Sequence, residues 1–107
     1  MCEDFCDGME NPEMMTQREP FTVSGERCVV KYGGETFITI IVPVHKNDCD
    51  YVEFYLQKEG YGYTEFMLGL PLEDLNFQSR AEEDRFILAQ LPGWIAGYNE
   101  TLEKIES

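Results

Sequence analysis

Apolar and polar side chains alternate with a period of two along residues 51–70. This alternation predicts two β-strands, residues 51–59 and 63–70, each with one buried face. A turn at Gly60-Tyr61-Gly62 separates the two strands. The residues predicted to share the buried face are Val52, Phe54, Leu56, Phe66, Leu68 and Leu70.

Three further strands are predicted upstream. Residues 27–32 and 35–44 are rich in β-branched side chains, and the two glycines between them, Gly33 and Gly34, are typical of a tight hairpin. Residues 21–24 form a third, short strand. Pro43 has no amide proton for a β-ladder, so we expect the pairing to loosen or bulge there. A loop over residues 45–50 then leads into the alternating pair.

The C-terminal third has helical signals. Ser79 and Glu82 have the spacing of a capping box, which predicts that a helix begins here. This helix is expected to end before Pro92, and a second helix is expected to begin at Pro92 or Gly93. Its predicted apolar stripe consists of Trp94, Ile95, Tyr98, Leu102 and Ile105.

A run of strands followed by helices predicts an α+β fold. We expect an antiparallel meander of four or five strands, with two C-terminal helices packed on one sheet face. The 107 residues suit a single domain, which we place at residues 21–107. Residues 1–20 show no clean period and are interpreted as an irregular acidic leader. No apolar run is long enough to span a bilayer and no secretory signal is recognisable, so a cytoplasmic location is expected.

The charge of the chain is its most distinctive global property. It has 21 acidic and 8 basic residues, a net charge of −13, and the excess is concentrated in residues 1–20 and 71–107. Such a surface repels nucleic acids and anionic membranes and attracts basic proteins. Acidic side chains also keep small proteins soluble, and solubility alone is the simpler interpretation of this charge.

The polar face of the alternating strand pair is the predicted binding site. Tyrosine and methionine are enriched at protein interfaces, and here they alternate with glutamates. Cross-strand tyrosine pairs that only stabilise the sheet are the alternative interpretation. Two acids after Pro71 are expected to extend the site. The predicted partner-binding residues are Tyr51, Glu53, Tyr55, Glu59, Tyr63, Glu65, Met67, Glu73 and Asp74.

Cysteine and histidine chemistry gives a weaker hypothesis. Thiolates and one imidazole are suitable zinc ligands, but the chain has no paired Cys-x-x-Cys motifs. A nucleophilic Cys49 activated by His45 would need further groups that the sequence does not offer. We therefore predict neither a cofactor nor an enzyme. The residues of this hypothesis are Cys2, Cys6, Cys28, His45 and Cys49.

The sequence thus favours a non-enzymatic acidic protein that occupies the basic nucleic-acid-binding surface of a partner protein. Its carboxylates would stand where phosphates bind, as in a phage-encoded anti-defence inhibitor or a toxin immunity protein. An alternative is a small chaperone or adaptor that forms a homodimer through its tyrosine-rich sheet face. A Cys/His metal-binding protein is a second alternative.

Overall fold

The computed structural model describes residues 12–20, 25–74 and 79–106. Within these ranges the chain forms one six-stranded antiparallel sheet and one long helix. The predicted α+β class is confirmed. The elements are β1 (Glu13–Met14), β2 (Glu19–Pro20), β3 (Glu26–Tyr32), β4 (Glu35–Lys46), β5 (Cys49–Lys58), β6 (Thr64–Pro71), a 3₁₀ turn (Leu72–Asp74) and α1 (Arg80–Glu106).

The sheet has the order β1-β3-β4-β5-β6, and β2 also pairs with β3. The segment expected to be irregular therefore adds two short strands to the sheet where the structure describes it. β4 is central, as its β-branched composition predicts. The short strand predicted at residues 21–24 lies outside the described residues.

Two tight hairpins connect the long strands. Gly33 and Gly34 have φ of 61° and 78°, which confirms the predicted two-residue turn between β3 and β4. The β4–β5 connection is also a two-residue turn, at Asn47 and Asp48 with φ of 56° and 61°. The longer loop predicted at residues 45–50 was therefore wrong. Asn and Asp tolerate the left-handed region, so the strands continue to within one residue of the turn.

Pro43 does not disturb β4. It pairs with Val52 in an unbroken register, so the expected bulge is absent from this part of the described sheet. Residue pairs in an antiparallel ladder alternate between hydrogen-bonded and non-hydrogen-bonded pairs. Counted from the two-residue turn, Pro43 and Val52 form a non-hydrogen-bonded pair, so the Pro43 nitrogen points towards β3. The described pairing with β3 ends at Glu26, opposite Ile41, so the missing amide proton of Pro43 breaks none of its hydrogen bonds.

A bulge occurs in β6 instead. Phe54 is opposite Leu68, but the next residue, Tyr55, is opposite Phe66, so Met67 is the extra residue. One extra residue reverses the side of the sheet on which the following residues lie. Phe66, which we expected in the core, is therefore 50% exposed and packs edge-on against Tyr55 at 5.5 Å between ring centroids. Leu68 keeps its predicted contact with the core.

One helix, not two, follows the sheet. α1 is continuous over 27 residues and contains Pro92. Ser79 caps it as predicted, because its hydroxyl accepts a hydrogen bond from the amide of Glu82 at 3.3 Å. A single buried stripe continues across the proline, and packing of this stripe on the sheet outweighs the lost hydrogen bond. The stripe consists of Ile87, Leu91, Ile95, Tyr98 and Leu102.

The core lies between α1 and the facing side of the sheet. Phe37 meets Tyr98 edge-to-face at 6.2 Å, and Phe54 lies 5.7 Å from Trp94 between ring centroids. The other fully buried side chains of the sheet are small or branched and lie on β3 to β5, and partly buried side chains of β6 pack against them. The opposite side of β3–β6, which we call the open face, has no element of the described chain packed on it.

Candidate functional site

The predicted binding residues do not form one surface. Tyr51, Glu53 and Tyr55 lie on the open face, as the alternation predicts. Tyr63 and Met67 instead pack against the core on the helix side, because the β6 bulge changes the register between them and β5. The bulge therefore divides a site that the sequence placed on one face.

Two of the predicted glutamates are hydrogen-bonded by neighbouring tyrosines. The Tyr55 hydroxyl donates to Glu53 Oε1 at 2.8 Å, and the Tyr63 hydroxyl donates to Glu65 Oε1 at 2.7 Å. Each hydrogen bond to a carboxylate raises the pKa of the tyrosine that donates it. The pairs fix both carboxylates in place, one on each side of the sheet.

The remaining predicted acids lie at opposite ends of β5. Glu59 is in the β5–β6 turn, where its amide donates to the Thr36 carbonyl at 3.0 Å. Glu73 is exposed in the 3₁₀ turn, which also contains the backbone of Asp74. This turn adjoins the β4–β5 hairpin at the other end of the strand. Glu73 lies beside Asp48 and Asp50 of that hairpin. Glu59 is opposite Thr36 in the β4–β5 register, which places it on the open face.

Three carboxylates from distant parts of the sequence lie around an exposed tyrosine. β4 and the last two turns of α1 meet the β5–β6 turn around one shallow depression, in which Tyr61 is 37% exposed. Within the described chain, the basic residue lining this depression is Lys58. We call this surface the acidic end, and its carboxylates belong to Glu35, Glu103 and Glu106.

The turn that carries Tyr61 is held rigidly. The Tyr61 amide donates to the Lys58 carbonyl at 3.0 Å, and Gln57 Nε2 donates to the Tyr61 carbonyl at 2.6 Å. Gly60 has a φ of 87°, a conformation that favours glycine. Lys58 Nζ lies 2.6 Å from Glu35 Oε2 and 5.0 Å from the Tyr61 ring centroid. The hydrogen bond with Glu35 raises the pKa of Lys58, so this lysine stays charged.

Sequence reasoning missed the carboxylates and the tyrosine of the acidic end. Glu35 follows the glycine turn directly, and Tyr61 stands between two glycines, which is a signal for exposure. Glu103 and Glu106 are one helical turn apart on the wet side of α1. Their approach to the β5–β6 turn depends on a helix that runs unbroken through Pro92, so two shorter helices would not have placed them there.

The geometry of the described residues does not support a metal-binding or catalytic site of cysteine and histidine side chains. Cys28 is fully buried, and burial raises the pKa of its thiol to about 11. Cys49 is exposed in the β4–β5 hairpin, where it is opposite Lys46. His45 is opposite Asp50, and its Nδ1 lies 2.7 Å from Asp50 Oδ1. Within residues 12–20, 25–74 and 79–106, no three His, Cys, Asp or Glu residues are grouped for a metal ion. Cys2 and Cys6 lie outside the described residues, so their role stays a prediction.

The comparisons with known proteins add no further constraint. No family model, curated protein or solved structure matches this chain. Among the described residues, no helix is both long and apolar enough to cross a membrane.

Proposed function

We propose that this chain is a non-enzymatic acidic binding protein that occupies the basic nucleic-acid-binding surface of a partner protein. The observation that carries the proposal is the acidic end, where carboxylates of β4 and α1 line one depression together with the exposed ring of Tyr61. The partner is basic, and neither a nucleic acid nor a membrane binds directly, because the net charge of −13 repels both.

The acidic end has the chemistry that a phosphate mimic requires. Its three carboxylates are opposed by Lys58, which is already paired with Glu35. The surplus negative charge attracts lysine and arginine side chains that otherwise bind phosphates, and it accelerates their encounter. Tyr61 supplies a large amphipathic side chain at the centre, the type of anchor that dominates binding energy at interfaces.

A rigid scaffold supports this role. β4 and α1 contribute the carboxylates, β5 contributes Lys58, and Tyr98 joins α1 to the turn beside Tyr61. The partner therefore meets a preformed arrangement and loses little free energy in ordering it. Such a protein suits a phage anti-defence inhibitor or a toxin immunity protein, both of which block a basic nucleic-acid-processing partner.

The test compares two variants of equal net charge. Glu103→Gln and Glu106→Gln together neutralise two exposed carboxylates at the acidic end. The matched control, Glu13→Gln and Glu73→Gln, neutralises two exposed carboxylates elsewhere. Each protein is immobilised, and partners are recovered from host lysate at about 0.05 M and about 0.5 M salt.

Recovered proteins are then purified, and their affinity for each variant is measured directly. We expect a basic partner whose affinity falls about tenfold or more with the acidic-end variant but stays near the wild-type value with the control. The nucleic acid that this partner binds should compete with the chain. Equal affinity for both variants, or binding that neither salt nor nucleic acid weakens, would refute the proposal.

A further inference from the structure

The open face is apolar along its centre, although the chain as a whole is highly charged. One row of paired residues crosses four strands at mid-sheet, and its neighbouring rows add β-branched side chains from β3 and β4. Phe66 is 50% exposed on this face. The central row consists of Arg27, Ile40, Tyr55 and Phe66, and the neighbouring apolar residues are Val29, Ile38, Val42, Val44 and Tyr51.

The charges of the open face are nearly balanced. Three basic and four acidic residues share the face of a chain whose net charge is −13. A basic partner is therefore attracted to the acidic end more than to this surface. Two copies of the chain repel each other least when their open faces meet. The seven residues are Arg27, Lys31 and Lys46 with Glu13, Glu19, Glu53 and Glu59.

We propose that the open face binds the open face of a second copy, which gives a symmetric dimer with a sandwich of two sheets at its centre. This inference is independent of the proposed function, because the acidic end lies on a different surface. With a two-fold axis parallel to the strands, each row of one copy lies opposite the same row of the other copy, in reverse order. Aligned sheets of this kind pack about 10 Å apart, with interdigitated side chains.

In this dimer, the central row of one copy faces the reversed central row of the other copy, and the facing side chains are complementary. Arg27 of one copy meets Phe66 of the partner copy. The partner copy's Tyr55 packs over Ile40, which is only 6% exposed and therefore offers a small contact. The first contact is a cation over an aromatic ring, and the second joins an aliphatic and an aromatic side chain. The same two contacts recur on the other side of the axis. The Arg27 side chain is 40% exposed and is paired with Glu19, so it approaches the ring with its charge balanced.

The area of the open face is sufficient for a specific dimer. Beside residues 36–41 of β4 the face has four strands at roughly 4.8 Å spacing, so it is about 19 Å wide and, at roughly 3.3 Å per residue, about 20 Å long. Beside residues 42–44 it has three strands and is about 14 Å wide and about 10 Å long. Two such faces bury about 1,000 Å² together, which is the smallest area expected of a specific interface. Loss of one central aromatic residue should therefore dissociate the dimer.

The test is sedimentation velocity on the full chain between about 1 and about 200 μM, at about 0.15 M salt. Phe66→Glu places a charge in the centre of the open face. Ile105→Glu is the matched control, because Ile105 is 55% exposed on α1. We expect dimers for the wild type and the control, and a folded monomer for Phe66→Glu by circular dichroism.

Phe66→Ala keeps the inference testable if Phe66→Glu does not fold. This variant adds no charge and should raise the dimer dissociation constant by about tenfold or more. A wild-type chain that stays monomeric across the concentration range would overturn the inference. So would dimers of Phe66→Glu and Phe66→Ala that are as stable as those of the wild type.

Discussion

The hydroxyl of Tyr98 in α1 donates a 2.6 Å hydrogen bond to the backbone carbonyl of Tyr63, 35 residues earlier in the chain. The same oxygen accepts a hydrogen bond from the amide of Lys58 at 3.1 Å. Tyr98 is fully buried, and its ring lies 5.4 Å from the ring of Tyr63 between centroids. One side chain thus joins the helix to both ends of the β5–β6 turn, and the acidic end depends on this joint.

Removal of this hydroxyl should weaken the whole fold. Tyr98→Phe keeps the ring but leaves the Lys58 amide and the Tyr63 carbonyl without this partner, which costs about 1–3 kcal/mol in the free energy of unfolding. Urea denaturation followed by circular dichroism measures the loss. Tyr51→Phe is the control, since Tyr51 is half-buried on the open face, and it should change stability by less than about 0.5 kcal/mol. Equal effects of the two variants would contradict this role of Tyr98.

Arg18 joins the N-terminal segment to α1. Its side chain is only 5% exposed, and Nη2 lies 2.7 Å from Glu83 Oε1 and 2.8 Å from Asp84 Oδ1. A weaker contact at 3.5 Å reaches Glu26 Oε1. Burial acts to lower the pKa of Arg18, but its hydrogen bonds and charge contacts with Glu83 and Asp84 outweigh this and raise it. The guanidinium is therefore permanently charged.

Arg18→Ala should consequently destabilise the protein by about 2 kcal/mol. This value is below the cost of breaking a fully buried pair, because the three carboxylates keep partial access to water. Arg85→Ala removes an exposed arginine of the same helix and should cost less than about 0.5 kcal/mol. Chemical denaturation of the two variants in parallel measures the difference. A loss no larger for Arg18→Ala than for Arg85→Ala would show that the cluster contributes nothing to stability.

The hairpins, the central strand and the start of the helix were predictable because each depends on local chemistry. Gly33-Gly34 specifies its turn, and Ser79 specifies its cap. The β6 bulge was not predictable, because Phe66, Met67 and Leu68 are all apolar and any of them can serve as the extra residue. The side of the sheet on which Tyr63 and Glu65 lie depends on that choice, so the predicted site could not be correct as a whole.

Pro92 shows the same limit for the helix. A proline inside a helix removes the hydrogen bond to the carbonyl four residues earlier, so local reasoning ends the helix there. Tertiary packing decides otherwise, because Leu91 and Ile95 on either side are buried against the sheet. The helix propensity of one residue is a weak determinant compared with the burial of such a stripe.

Pro92→Ala should therefore stabilise the protein. Alanine restores the amide that can donate to the Leu88 carbonyl, and it is favoured over proline in a helix interior by about 3 kcal/mol. The greater freedom of the unfolded chain offsets part of this gain, so we expect a net increase of about 1–2 kcal/mol in the free energy of unfolding. Gly93→Ala, at an exposed helical position with open space around the added Cβ, is a reference for helix propensity alone. A Pro92→Ala protein that is less stable than the wild type would mean that the proline fits a local distortion of α1.

The two cysteines described by the structure should differ sharply in reactivity. Cys28 is fully buried and its thiol has a pKa raised to about 11, so few thiolates form and reagents cannot reach them. Cys49 is exposed in the β4–β5 hairpin. In a Cys2→Ser and Cys6→Ser background, a chromogenic disulfide reagent at pH 8 should modify one thiol rapidly and the second only on unfolding. Cys49→Ser should abolish the rapid phase and leave the slow one. Rapid modification of Cys28 in the native protein would show that β3 opens to solvent, against the packing of this core.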